Sequence, residues 1–214
     1  MTPNTVHSEA TIIIGIGGAG RNILITYLKS NLKSFNPKAV LFIDTDQFNI
    51  DNNLEHLKFV IELNQNNNDK TQSLIASQTQ KYKNKILDLI KDYRNVILLA
   101  GIGGNTGGTI LPIIAEWCID SNKNCFVLVN LPLIEEGEST ANNARTAIAA
   151  IDKILPRENM YICDREDLRE TMDFEPERLF FFFANHFFND EINFILKHGS
   201  RHKFLNLDGP ETFF

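Results

Sequence analysis

A chain of 214 residues, 43% hydrophobic and 22% charged, has the composition of one globular domain with a sizeable core, or one domain with an appendage. A formal charge of −6 and a pI near 5.4 argue against non-specific nucleic-acid binding but not against a nucleotide ligand. No apolar run approaches the ~20 residues of a membrane span, and residues 1–9 lack the basic start and apolar middle of a signal peptide. The expected setting is the cytoplasm, without direct membrane insertion.

Residues 1–9 read as a flexible leader. Thr11 to Ile16 is a continuous apolar strand, followed by a glycine loop through Gly20 and a helix from Arg21 to Leu32. Asn36-Pro37 marks a turn. Ala39 to Ile43 is a second buried strand ending in Asp44-Thr45-Asp46, and Leu57 to Leu63 is a third. Asn64 to Asp69 is polar and predicts a surface loop. From Thr71 to Tyr93, Leu74, Ile75, Tyr82, Ile86, Leu87, Leu89 and Ile90 recur at helical spacing. A strand at Asn95 to Ala100 leads into a second glycine loop, Gly101 to Thr109, and a helix from Ile110 to Asp120. Cys125 to Val129 is another buried strand, Thr140 to Leu155 a helix and Asn159 to Cys163 a short strand. Cys118, Cys125 and Cys163 fall in these segments without metal-ligand spacing and fit buried free thiols. Glu177 to Lys197 is one long helix closed by Gly199; its Phe180 to Phe183, Phe187, Phe188 and Phe194 predict a core-facing stripe.

Strands apolar on both faces, alternating with helices, specify an α/β fold: a Rossmann-like parallel sheet with helices on both faces, followed by a long central helix. The expected divisions are a leader at 1–9, an α/β nucleotide-binding domain at 10–175, the central helix at 176–198 and a tail at 199–214.

Each glycine loop turns a strand into a helix, which places bare backbone N–H groups at the positive end of a helix dipole and makes an anion site. Neither loop carries the Lys of G-x-x-x-x-G-K-[ST]. The first alone satisfies G-x-G-x-x-G as Gly15, Gly17 and Gly20, with Asp44 where a dinucleotide fold keeps its ribose acid, so an NAD-dependent oxidoreductase is one reading. It leaves the second loop unexplained.

Two such loops in one sheet resemble the tubulin/FtsZ superfamily. Gly15-Ile-Gly-Gly-Ala-Gly20-Arg21-Asn22 is similar to that family's first loop, G-x-G-G-x-G-x-N, and Asp44-Thr45-Asp46 to its N-T-D. Gly101 to Thr109 resembles G-x-G-G-G-T-G-[ST]-G, with Asn105 for one glycine and Gly108-Thr109 in swapped order. Pro132 to Gly137 resembles P-F-x-F-E-G, Ala184-Asn185 the A-N of the central helix, and Asn206-Leu-Asp208-Gly-Pro-Glu211 the loop N-x-D-x-x-[DE].

The resemblance implies that the chain binds GTP and GDP. Gly15, Gly17, Gly18 and Gly20, with Gly103, Gly104, Asn105, Thr106 and Gly107, would hold the phosphates, the Thr106 hydroxyl adding a donor. Asn22, Glu136 and Asn185 would contact the guanosine. Asp164 either accepts from guanine or caps the helix after Arg165. Asp46 either holds Mg²⁺ through water or serves a turn. Arg21 would face phosphate. Asp208 and Glu211 lie beyond a helix of roughly 30 Å, too far from their own nucleotide, so they would act in trans on the next molecule of a head-to-tail filament. Mg²⁺-dependent GTPase activity coupled to self-assembly is the expected function; a non-polymerising GTP/GDP-binding regulatory module is the alternative. Asn64 to Asp69 has no glycine where the family's loop near the γ-phosphate does, and Thr140 stands where an Arg is expected. The chain ends at Phe214 without the family's second domain, and Phe213 and Phe214 would meet a separate protein or domain.

Overall fold

The computed structural model describes residues 10–31, 39–50, 57–63, 70–172 and 184–199. The leader, Asn36-Pro37, Asn64 to Asp69, Phe180 to Phe183 and the tail with Asp208 and Glu211 lie outside them.

Six strands form one sheet: β1 (Thr11–Ile16), β2 (Val40–Asp44), β3 (Lys58–Val60), β4 (Asn95–Gly101), β5 (Asn124–Asn130) and β6 (Met160–Cys163). Their order is β3-β2-β1-β4-β5-β6 and every pairing is parallel. The described helices are α1 (Gly17–Ser30), α2 (Gln72–Lys81), α3 (Lys83–Ile90), α4 (Asn105–Asp120), α5 (Glu138–Ile151), α6 (Arg165–Met172) and α7 (Phe188–His198). This is the α/β, Rossmann-like parallel sheet that the apolar strands predict. None of these helices is long and apolar enough to cross a membrane.

Alternation along each strand feeds two cores. Ile12, Ile14 and Ile16 of β1, with Val96 and Leu98 of β4, face α2 to α5 through Ile75, Ile86, Ile114 and Ile148. Ile13, Ile97 and Leu99 face the other way, toward Ile23 and Leu24 of α1 and Phe188, Ile192 and Ile195 of α7. At the amino end of the sheet, polar side chains bridge three strands: Asn95 Nδ2 donates to Thr11 Oγ1 (3.1 Å) and Asn124 Nδ2 to Asn95 Oδ1 (2.9 Å). Lys123 Nζ donates to the carbonyls of Ile90 and Lys91 as α3 ends and to that of Tyr93 just beyond, where a cation suits the helix dipole.

Four sequence expectations are corrected. First, α1 begins at Gly17, not Arg21, and α4 at Asn105, not Ile110, so both glycine loops are largely first turns of helices. Second, 71–93 is two helices that break at Tyr82, whose ring meets Phe59 edge-on at 5.5 Å; Leu89 is exposed rather than core. Third, α5 starts at Glu138, behind Gly137 at φ +91°. Fourth, the phenylalanine stripe is only partly core. Phe188 is fully buried, Phe187 lies exposed against Tyr161, and Phe194 packs on His198 at 4.3 Å. Gly199 closes α7 at φ +64°, donating to Ile195 O, as its place predicts.

Candidate functional site

The chain reverses its spread across the sheet between β1 and β4: β2 and β3 lie to one side, β5 and β6 to the other. A parallel sheet opens a crevice at the carboxyl ends of such a pair. There the structure has a cavity of about 290 Å³. Ile16, Gly17, Gly18 and Ala19 line it from the first loop, and Gly101 and Gly103 to Gly107 from the second. Asn130, Pro132, Glu136 and Arg165 close it from beyond β5 and β6.

The helix ends carry the chemistry. α1 starts after Ile16 and α4 after Gly104; neither has a side-chain cap, and neither has an acid in its first turn. The opening N–H groups of a helix have no partner within it, and here two such ends converge on one cavity. Both therefore present donors and positive dipole to an anion. Gly17 takes φ +68°, and a Cβ there would lie 3.4 Å from the Thr106 side chain, so the two turns adjoin. At Gly104 a Cβ would meet nothing within 4 Å.

Other glycines of the motif serve packing. A Cβ on Gly20 would lie 2.1 Å from Leu99 O, one on Gly107 2.2 Å from Gly101 O, and one on Gly15 2.8 Å from Gly20 O. Gly15 and Gly20 let α1 lie directly on the sheet and do not line the cavity.

The structure brings Gly17, Gly18, Gly103, Gly104, Asn105, Thr106, Gly107 and Glu136 together in one lining. It places other candidates elsewhere. Arg21 does not line the cavity; it pairs with Asp44 at 3.3 Å and lies over the Phe48 ring at 4.8 Å, because Asp44 is a buried carboxylate in need of a partner. Asp44 itself is 5% exposed and accepts from the N–H groups of Thr45 and Asp46. Burial raises its pKa against these bonds and Arg21. A carboxylate so enclosed is not presented to a ribose. Asn22 is exposed on α1 outside the lining, and Asn185 is half-buried ahead of α7, also outside it. Asp164 caps α6, accepting from Glu166 N at 2.8 Å, and lines a second cavity of about 460 Å³ beside Glu138 and Arg145. Its helix-cap reading is the one observed; burial is the main cause of its raised pKa. Asp46 forms an ion pair with Lys70 and is not in the lining.

Asn130 and Arg165 escaped sequence reasoning. Asn130 is 6% exposed, and its Oδ1 accepts no hydrogen bond among the described residues. A buried acceptor without a donor costs about 1–3 kcal/mol, and here it stands in the cavity wall. Arg165 donates through Nε to Leu131 O at 2.7 Å and pairs with Glu136, whose Oε1 also accepts from Leu133 N at 3.0 Å. Among the described residues it is the one cation in the lining. As strand-end and helix-start residues, neither has a motif to flag it.

The sequence matches the tubulin/FtsZ family, GTPase domain, over residues 10–163. Curated proteins give no match. Among solved structures the chain is similar to FtsZ of M. jannaschii (an empty dimer; TM-score 0.70, 20% identity), covering 92% of this chain and 57% of that one. It is similar to CetZ2 from Haloferax volcanii, a GTPγS-bound protofilament (0.70, 16%), over 88% of this chain and 58% of that one. Clostridium botulinum phage c-st TubZ follows at 0.65 and 21%, over 90% and 62%. The chain thus spans less than two thirds of each of these proteins. At such identities the structures establish the shared fold, and the match over 10–163 establishes descent: the chain belongs to the tubulin/FtsZ family.

Proposed function

We propose that the chain binds GTP and GDP in the cavity between β1 and β4, and that it is a GTPase assembling head-to-tail. The carrying observation is the convergence of two uncapped, acid-free helix N-termini on one cavity. The first turns of α1 and α4 hold the phosphate chain through backbone N–H groups, with the Thr106 hydroxyl beside them. Thr106 Oγ1 lies 2.9 Å from Thr45 Oγ1; with Thr45 as donor its proton remains for phosphate. Glu136, both of whose bonds fall on Oε1, keeps the lone pairs of Oε2 for ribose hydroxyls. Asn130 Oδ1 accepts from a sugar or base donor.

Magnesium does not fit at Asp46 as the side chains stand. Lys70 holds that carboxylate in an ion pair. Nothing in the binding scheme therefore runs through a metal.

Hydrolysis is assigned to Asp208 and Glu211 of the neighbouring copy, which orient and polarise the attacking water while the helix ends stabilise phosphoryl charge. Asp208→Ala and Glu211→Ala are expected to retain GTP binding and to reduce GTP turnover to background. Loss of binding in either would contradict action in trans. A non-polymerising GTP/GDP module is the second reading, favoured by Thr140, whose hydroxyl donates to Gly137 O at 2.6 Å where the family resemblance calls for Arg. Light scattering that rises with GTP but not GDP would exclude it.

A further inference from the structure

Asn105 stands where the family pattern has a glycine, and both polar atoms of its side chain are bonded. Nδ2 donates to Lys70 O at 2.9 Å, and Oδ1 accepts from Asn143 Nδ2 at 3.2 Å. Asn143 also donates to Gly103 O at 2.9 Å. These bonds fix the backbone of residue 70 to the first residue of α4, beside the uncapped N-terminus that lines the cavity. From that anchor the Lys70 ammonium reaches Asp46, two residues beyond the end of β2, and the two form an ion pair.

The pair contributes little to the fold. The two side chains are 42% and 58% exposed, and an exposed ion pair is worth about 0–1 kcal/mol. An ammonium held so weakly can turn its other donors to a stronger anion. A lysine has the means: a flexible four-carbon stem and three donors in any direction. The cavity needs such a charge. Arg165, the one cation in its lining among the described residues, is already bonded to Glu136 and Leu131 O, while a nucleoside triphosphate brings several negative charges. Asp46 follows Thr45, whose hydroxyl lies 2.9 Å from that of Thr106 in the lining; it is the carboxylate that a divalent cation there would meet, and Lys70 is paired with it.

We propose that Lys70 is a built-in counter-cation for the phosphate chain, occupying at Asp46 the position of a divalent metal, so that nucleotide binding does not require magnesium. The inference rests on the GTP reading above. Asn105 serves it by holding residue 70 at the helix start, and Asp46 by keeping one of the ammonium's three donors while the others turn to phosphate.

The test is titration of the full chain with a fluorescent GTP analogue, in magnesium and in EDTA, for wild type, Lys70→Met, Lys70→Arg and Asp46→Asn, with thermal melts to confirm folding. Wild type is expected to bind equally, within about twofold, in both buffers, and Lys70→Met about tenfold more weakly in EDTA, the loss of one charged hydrogen bond. Lys70→Arg should retain most of the affinity, and Asp46→Asn should show no new magnesium response. The proposal is overturned if chelation weakens wild type by about tenfold or more and Asp46→Asn abolishes that response, since Asp46 then holds metal. It is also overturned if Lys70→Met binds like wild type in both buffers. Absence of binding by wild type in either buffer would instead show that the GTP reading has failed, and the inference with it.

Discussion

Gly18 and Gly20 occupy one turn of α1 and answer to different neighbours. A methyl group on Gly20 would lie 2.1 Å from Leu99 O, a backbone atom of the central strand that has no room to yield. Gly20→Ala is expected to lift α1 from β4 at a cost of about 1–3 kcal/mol or more, read as a lower melting temperature. On Gly18 the nearest heavy atom would be Arg21 Nη2 at 3.8 Å, and its φ is not positive. Gly18→Ala is expected to melt at or above wild type, since alanine favours a helix by up to about 1 kcal/mol, while its methyl group crowds the cavity and weakens nucleotide binding about tenfold. Equal destabilisation by the two substitutions would refute this division. The glycine spacing is legible in the sequence. Which glycine meets strand and which meets cavity depends on the direction of an absent Cβ, and spacing does not carry that. The pairing of Asp44 with Arg21 is illegible for a related reason: motif position suggests a ligand for each, and only burial of the carboxylate makes them partners.

The sequence ends both glycine loops where helix-favouring residues begin, yet α1 starts four residues and α4 five residues earlier than that boundary. Glycine propensity is unfavourable within a helix. Close approach to Leu99 and Gly101 overrides it, since only a residue without a side chain lets the first turn touch the strand. Strands were easier, because β1, β4 and β5 are apolar on both faces and no helix of that length would be. The buried free thiols lie on α4 (Cys118), β5 (Cys125) and β6 (Cys163). Burial raises the Cys163 thiol on β6 to about 12, and Cys125 on β5 is raised by the adjacent Cys118 thiol and by burial. With folded pKa values above the ordinary value of 9.0, the stability that these groups contribute is complete below that pH and is lost as pH rises toward about 12. The loss is about 1.4 kcal/mol per thiol per pH unit in that window. Urea midpoints should fall between about pH 8 and pH 10, and Cys163→Ala should reduce the slope. A midpoint unchanged in that range would contradict the burial of the thiols.

The strand order β3-β2-β1-β4-β5-β6 is shared with dinucleotide-binding folds, so topology alone does not decide between NAD and GTP. The second glycine turn favours GTP, together with an Asp44 whose carboxylate is enclosed by Arg21 and two backbone N–H groups. Six short motifs in order made the family legible before any coordinates, and the match over 10–163 agrees. The guanosine contacts were less legible. Asp164 turned to cap α6, and the orphaned Asn130 acceptor and Arg165 meet the cavity only because β5 and β6 end beside β4. The most direct measurement of the central claim is equilibrium binding of labelled GTP to the full chain, with GDP, ATP and NAD as competitors. Binding of GTP that GDP displaces, and that ATP and NAD do not, is the predicted result. Displacement by NAD, or no GTP binding at all, would contradict the account.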